Sequence, residues 1–274
     1  MKEGEQRRRR ILAAVLGGMA DVDLLSASLG VSASTVRRDL ARLSAEGRIL
    51  RTYGGAAPAG SLHPEQSLQQ RAAINLAEKR AIARRAAGFI GEGETVILDA
   101  GTTTGALAAA LACRQGLRVI TNGLTAIIAL AGAPGVELVL LGGRMRQISL
   151  GTVGSIAEHS LRRMTATRVF LGADGVVAGR GICEASDEQA SLKELMIAQA
   201  GEIYVLADAD KLGRATSEAW TPLSRPWTLI TDQRASESQL APFRRLGQVT
   251  IHAEPLTPAP GASEIGPGTA RPGS

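Results

Sequence analysis

The chain has 274 residues, of which 45% are apolar and only 3% aromatic, and its formal net charge is +5. That is length for one large or two modest domains, with an interior built from Ala, Val, Leu and Ile. No apolar run approaches the ~20 residues of a membrane-crossing helix, and two cysteines with three scattered histidines make neither a disulfide framework nor a metal site.

Taken in order, MKEGEQRRRR is followed by the apolar stretch ILAAVLGGMA, which has the length of a signal peptide. Its small-residue cleavage pattern is poor and it runs straight into further helical pattern, so it reads as a first helix with Ile11, Leu12, Val15 and Leu16 buried. The expected location is cytoplasmic. Leu24, Leu25 and Leu29 then give a short second helix one buried edge. Gly30 supplies a left-handed turn position, Val31 plugs the corner and Ser32 is placed to cap the next helix. From Ala33 to about Glu46, Val36, Leu40 and Leu43 recur at i, i+4 and i+7, one stripe of a packed helix.

Opposite that stripe lie Ser34, Thr35, Arg37, Arg38 and Arg42. Short hydroxyls admit a helix closely into the major groove, and guanidinium forks bond phosphates or guanine edges bidentately. Gly47 ends the helix, and Arg48 to Tyr53 alternates as a two-stranded wing turning at Gly54-Gly55, with Arg48 and Arg51 placed for DNA backbone. Residues 1–57 hold ten Lys/Arg against six acids, so +4 of the net +5 gathers here, the footprint of a polyanion partner. The Arg7–Arg10 cluster serves either phosphates or merely a solvated N-terminus.

The run GVSASTVRRDLARLSAEGRILRTYGGA closely resembles the DNA-binding signature of the DeoR family of bacterial transcriptional regulators, in VS-x-x-TVRRDL, L-x-x-x-G and R-x-x-GGA. The resemblance implies a winged helix-turn-helix that binds double-stranded operator DNA, usually repressing an operon for sugar use. It also implies a ligand-sensing domain joined to that unit.

Beyond the wing, Pro58 to Pro64 is a linker by composition, and Glu65 to about Ile90 looks helical. Then short continuous apolar runs follow at Thr95–Leu98, Leu117–Ile120, Val136–Leu141, Arg168–Leu171, Ile203–Leu206 and Thr228–Ile230, with a last one at Val249–Ile251. Continuous strands spaced by helical lengths predict a mostly parallel α/β sheet covered on both faces. The expected organisation is a DNA-binding domain at 1–57, a linker and connecting helix at 58–77, an α/β effector-sensing domain at 78–253 and a disordered Pro/Gly-rich tail at 254–274.

Ligands of open α/β sheets sit at the carboxyl ends of the strands. Five strand ends here carry small, hydroxyl or charged residues: Asp99 to Gly105, Thr121-Asn122-Gly123, Gly142-Gly143-Arg144, Gly172 to Gly175, and Asp208 to Lys211. Gly101 allows close backbone approach, and the hydroxyls of Thr102, Thr103 and Thr104 at a helix start suit a phosphate or carboxylate. Lys193 and Lys211 can supply countercharge, and Asp174 can accept from sugar hydroxyls. Asp99, Asn122, Gly143 and Arg144 complete the candidate effector set.

The family resemblance continues through DAGTTT, VITN, LLGG, FLGADG, SLK and VLADADK, covering roughly residues 5–252. The sensor it implies is similar to ribose-5-phosphate isomerase, and the implied effector is a phosphorylated sugar, with Thr102 to Thr104 on phosphate and Asp174 and Lys193 near the sugar. The rival reading is a sugar-phosphate isomerase-like enzyme with an appended helix-turn-helix. Against it, Leu192 stands where the isomerase pattern places its catalytic Glu, and a leucine moves no proton, although Asp187 and Glu188 lie close in sequence. No catalytic residue and no cofactor is expected. Two recognition units on a homodimer or larger homo-oligomer would read paired half-sites.

Overall fold

The computed structural model of the protein describes residues 3–16, 21–52, 55–58, 67–215 and 217–256. The predicted linker after Pro58, the Gly54 half of the wing turn and the tail from 257 lie outside the described residues. Helix α1 (Glu3–Leu16), α2 (Val22–Leu29) and α3 (Ala33–Ala45) precede a wing of β1 (Ile49–Thr52) and β2 (Gly55–Pro58). Their shared core is small and purely aliphatic: Ile11, Val15, Val22, Leu25, Val36, Leu40, Leu43, Ile49 and Ala56. Val22 and Leu25 carry the buried edge of α2, while Leu24 and Leu29 are half-buried.

Local chemistry sets the turn. Asp21 caps α2 by accepting from the Asp23 and Leu24 amides, Gly30 sits at φ +66° as the left-handed terminator, and Ser32 caps α3 by accepting from the Thr35 amide. Asp39 interrupts the polar outer face of α3 by turning inward. It is 4% exposed and accepts from Arg7 Nε at 2.5 Å, with Arg8 Nη1 3.8 Å from its other oxygen. The ion pair ties α1 to α3.

After this unit come α4 (Leu68–Ala73), α5 (Leu76–Ala87), β3 (Thr95–Leu98), α6 (Thr102–Leu111), β4 (Leu117–Thr121), α7 (Leu124–Leu130) and β5 (Val136–Leu140). A hairpin of β6 (Arg144–Arg146) and β7 (Gly151–Val153) leads to α8 (Ser155–Leu161), β8 (Ala166–Leu171), β9 (Gly175–Val177), β10 (Gly181–Glu184) and α9 (Asp187–Ala198). The last elements are β11 (Ala200–Leu206), β12 (Ala219–Thr221), β13 (Trp227–Asp232), α10 (Glu237–Arg244) and β14 (Val249–Glu254).

The seven predicted apolar runs form one sheet in the order β14-β13-β11-β8-β3-β4-β5, with every neighbouring pair parallel. Side chains alternate across it. Ile97, Val169, Leu171, Val205 and Leu229 face α8, α9 and α10. Val96, Leu98, Phe170, Tyr204 and Ile230 face α5, α6 and α7. Both faces are thus covered, which explains why the strands read as continuous apolar runs. Two small antiparallel sheets, β12-β10-β9 and β6-β7, were not predicted. Their strands are three or four residues long, too short for a periodicity.

Chain order reverses in the sheet between β3 and β8. From β3 the chain builds outward through β4 and β5, then returns to lay β8 on the other side. Such a reversal opens a crevice beyond the carboxyl ends of the two central strands.

Candidate functional site

On the DNA-binding unit, Ser32, Ser34, Arg37, Arg38, Arg42 and Arg48 are exposed and Thr35 is half-buried. The guanidiniums of Arg37, Arg38, Arg42 and Arg48 make no hydrogen bond or ion pair among the described residues. The hydroxyls of Ser32, Ser34 and Thr35 form a cluster at the start of α3, each link 2.9 Å. Arg51 is placed on β1 opposite Ala56, and of its side chain nothing is described. The Arg7–Arg10 cluster is divided: Arg7 and Arg8 turn to Asp39, Arg9 pairs with Glu5 at 3.1 Å, and Arg10 is exposed.

At the reversal of the sheet lies a cleft with about 790 Å³ of empty space, part of it open to solvent. Three of the five candidate strand ends reach it: Ala100 to Thr103 after β3, Gly172 to Asp174 after β8, and Asp208, Asp210 and Lys211 after β11. The sheet order gives the reason, since β3, β8 and β11 are adjacent while β4 and β5 run away to the edge.

The loops after β4 and β5 shape the cleft from behind instead. Asn122 is buried, accepts from the Ala100 amide at 2.8 Å and donates to Thr152 O at 3.0 Å, so it pins the threonine loop to the β6-β7 hairpin. Gly143, at φ +125°, begins that hairpin, and exposed Arg144 pairs with Glu188. Thr104 is buried and donates to Gly101 O at 3.2 Å. None of these four lines the cleft. Gly123 also acts here by what it lacks. A Cβ on it would stand 2.7 Å from Ala100 Cα, although its φ of −105° suits any residue. Gly123→Ala should therefore displace the Ala100 loop and cost about 1–3 kcal/mol in urea unfolding. A variant as stable as the parent would show that the loop yields freely.

Helix α6 opens onto the cleft at Gly101, and no side chain caps it. Its first amides, at Thr102 and Thr103, have no partner within the helix. Facing them are residues that sequence reasoning missed. Arg71 of α4 comes within 3.3 Å of Asp174. Lys79 of α5 is buried and donates to Ile74 O at 2.5 Å and to Arg71 O, and burial lowers its pKa. Asn75 holds φ +53°, a rare conformation for a side-chain-bearing residue, and donates to Asp210 at 2.8 Å. Lys211, which the sequence reading did name as a countercharge, joins them: it donates to Ala173 O at 2.8 Å, and burial outweighs Asp174 and Asp208 to lower its pKa.

The floor holds three buried titratable groups, Lys193, Asp99 and Glu184. Lys193 Nζ lies 2.8 Å from Asp99 Oδ2, 2.5 Å from Glu184 Oε1 and 2.6 Å from Gly172 O. Burial opposes its charge, but Asp99 and then Glu184 outweigh burial, so its pKa stands above the ordinary lysine value. Asp99 also accepts from the Gly172 amide at 3.1 Å. Burial pushes the Glu184 carboxyl up to about 8 against the pull of Lys193, with Asp174 and Asp99 adding to the rise. Leu192 packs into the core on the far face and does not line the cleft.

A capped helix-turn-helix with an unpaired guanidinium face, joined to a doubly wound α/β unit with a charged cleft at its switch point, defines a DNA-binding regulator of transcription. Comparison with known proteins gives the family. Residues 7–61 match the DeoR-like helix-turn-helix domain and residues 74–233 the DeoR C terminal sensor domain. The chain belongs to the DeoR family.

It is 35% identical to a putative aga operon transcriptional repressor of Escherichia coli O157:H7, over 90% of this chain and 93% of that protein. It is 34% identical to the lactose phosphotransferase system repressor of Lactococcus lactis subsp. lactis, over 78% of this chain and 85% of the relative. Ribose 5-phosphate isomerase A of Methanocaldococcus jannaschii aligns with 48% of this chain and 52% of its own at 18% identity and a TM-score of 0.37, a partial likeness from which no residue's role follows. Among the described residues no helix is long and apolar enough to cross a membrane.

Proposed function

We propose that this DeoR-family regulator represses an operon of sugar metabolism and is released or retained by a phosphorylated sugar bound in the cleft. The supporting observation is the start of α6: an uncapped helix N-terminus with two free amides and two threonines, facing Arg71, Lys79 and Lys211 across the cleft. Free amides at a helix start attract a phosphate, and the cations supply its countercharge. Asp174 and Asp210 are then left for sugar hydroxyls. The names of the two relatives, both repressors and one of a lactose system, favour the same class of effector.

In this reading α3 lies in the major groove, with Ser34, Thr35, Arg37 and Arg38 nearest the base edges and Arg42, Arg48 and Arg51 on phosphates. The working form is a cytoplasmic homo-oligomer on paired half-sites, with residues 1–57 on DNA, 58–77 as connection and 78–253 as sensor. The effector shifts the balance between binding-competent and incompetent arrangements through its unequal affinity for the two. In this reading the cleft binds without turnover, since Leu192, at the position of the isomerase base, lies outside it.

Two measurements test this. DNA affinity should fall steeply with salt, by roughly five decades per decade of salt if about six phosphates are neutralised. A flat dependence would remove nucleic acid from the function. A thermal-shift panel of paired free and phosphorylated sugars should show stabilisation confined to phosphorylated members, with about 2.7 kcal/mol at a hundredfold excess over Kd. Equal shifts from free sugars would remove the phosphate from the site.

A further inference from the structure

The floor of the cleft holds one ammonium between two carboxyl groups, all three at most 3% exposed. One positive charge offsets one carboxylate, so the second faces burial without a counterion. The hydrogen bonding shows which one that is. Asp99 Oδ2 is served by two donors, Lys193 and the Gly172 amide. Glu184 receives only Lys193, on Oε1, and Oε2 has no hydrogen-bond partner among the described residues. Glu184 also lines the cleft, which Asp99 does not. An Oε2 that carries a proton becomes a donor to whatever oxygen enters. An Oε2 that does not is an acceptor facing an anion.

Resting on the reading of the cleft as a phosphate-type anion site, we propose that Glu184 is a ligand-contacting residue that works as a neutral carboxylic acid, so that the cleft takes up a dianion together with a proton. The groups facing Glu184 are Lys193 on α9, Asp99 after β3 and Asp174 after β8. The remaining cations of the cleft, Arg71, Lys79, Lys211 and Arg214, lie on α4, on α5 and after β11. Two of the faces toward Glu184 are acidic, and an incoming dianion adds to them. It raises the proton affinity of Glu184 further, and by reciprocity the proton raises the affinity for the dianion. Burial, with Asp174 and Asp99, already pushes the Glu184 carboxyl up to about 8 against the pull of Lys193. Uptake on binding is therefore small below neutrality and grows above it.

The probe is sulfate, a dianion whose charge does not change across the range, titrated into the full-length protein by calorimetry. Runs in two buffers of different ionisation heat count the protons at each pH. The expected result is little uptake at pH 6.5, uptake approaching one proton near pH 9, and affinity falling toward tenfold per pH unit at the alkaline end. Glu184→Gln keeps the shape and a neutral donor. Sulfate binding by this variant should take up no proton at any pH and should lose the alkaline fall in affinity. Lysines with lowered pKa give a rival source of protons, so Lys211→Arg and Lys79→Arg are measured too, and uptake should persist in both. Sulfate binding without uptake in the parent overturns the inference while leaving the anion cleft standing. Uptake that survives in Glu184→Gln, or vanishes in either arginine variant, assigns the proton elsewhere. Failure of sulfate to bind overturns the cleft reading itself.

Discussion

Replacing Arg38 with alanine is expected to abolish specific operator binding while leaving anion binding in the cleft unchanged. Arg38 projects from α3 opposite Val36, Leu40 and Leu43, which fill the core of the DNA-binding unit, and it has no partner among the described residues. Its removal creates no cavity and orphans no group, so stability should move by less than ~0.5 kcal/mol. A bidentate base contact is worth about 1–3 kcal/mol of discrimination. On an operator with two half-sites the loss doubles, to at least roughly thirtyfold. The operator can be selected from random sequence with the parent protein and then titrated with the variant. Unchanged discrimination would place Arg38 on phosphate or on nothing.

Lys193→Ala carries the second large effect, and its character differs from what the sequence suggests. Read as a countercharge beside the sugar, Lys193 ought to be removable at the cost of ligand response alone. Its ammonium is instead the single cation between two buried carboxyls, 3% exposed, hydrogen-bonded to Glu184 and Gly172 O and 2.8 Å from Asp99. Breaking a buried pair by removing one partner costs about 3–5 kcal/mol, because the other charge is left uncompensated. For a domain of this size that is a fall in Tm on the order of 10 °C. Differential scanning calorimetry of the variant decides. An unchanged transition would mean that the carboxyls relax by taking up protons at no net cost. Because the pKa of Lys193 is raised on folding, its stabilisation is complete at neutral pH and is lost only as pH climbs past the ordinary lysine range.

What could be read from the sequence follows the range of the interactions. The turn between α2 and α3 was legible because Gly30 and Ser32 act within a few residues of themselves. The seven strands were legible because burial on both faces makes each an unbroken apolar run. Which strand ends meet was not, since that depends on the order β11-β8-β3 in space. Asn122, Gly143 and Arg144 were grouped with the ligand set for this reason, and two of them instead brace the loop or the hairpin behind it. Arg71 and Lys79 were invisible because nothing in a polar helix after a linker marks a side chain that will turn into a cleft. Asp39 shows the same limit: only the fold brings it 2.5 Å from a residue 32 positions earlier.

The reversal of chain order at the centre of the sheet has a consequence for how the molecule comes together. Strands β3, β4 and β5 pair with sequence neighbours, and so do β8, β11, β13 and β14. The β3-β8 ladder alone joins these two runs, aligning Val96 with Arg168 and Leu98 with Phe170 across some seventy residues. Its closure carries the largest share of the chain-entropy cost of the sheet. The threonine loop hangs from one side of that seam, and Gly172 and Asp174 hang from the other. On the proposed reading of the cleft, an anion bound there would act as a clasp across two half-sheets, and the free energy of occupying it would also be free energy of keeping the sheet whole.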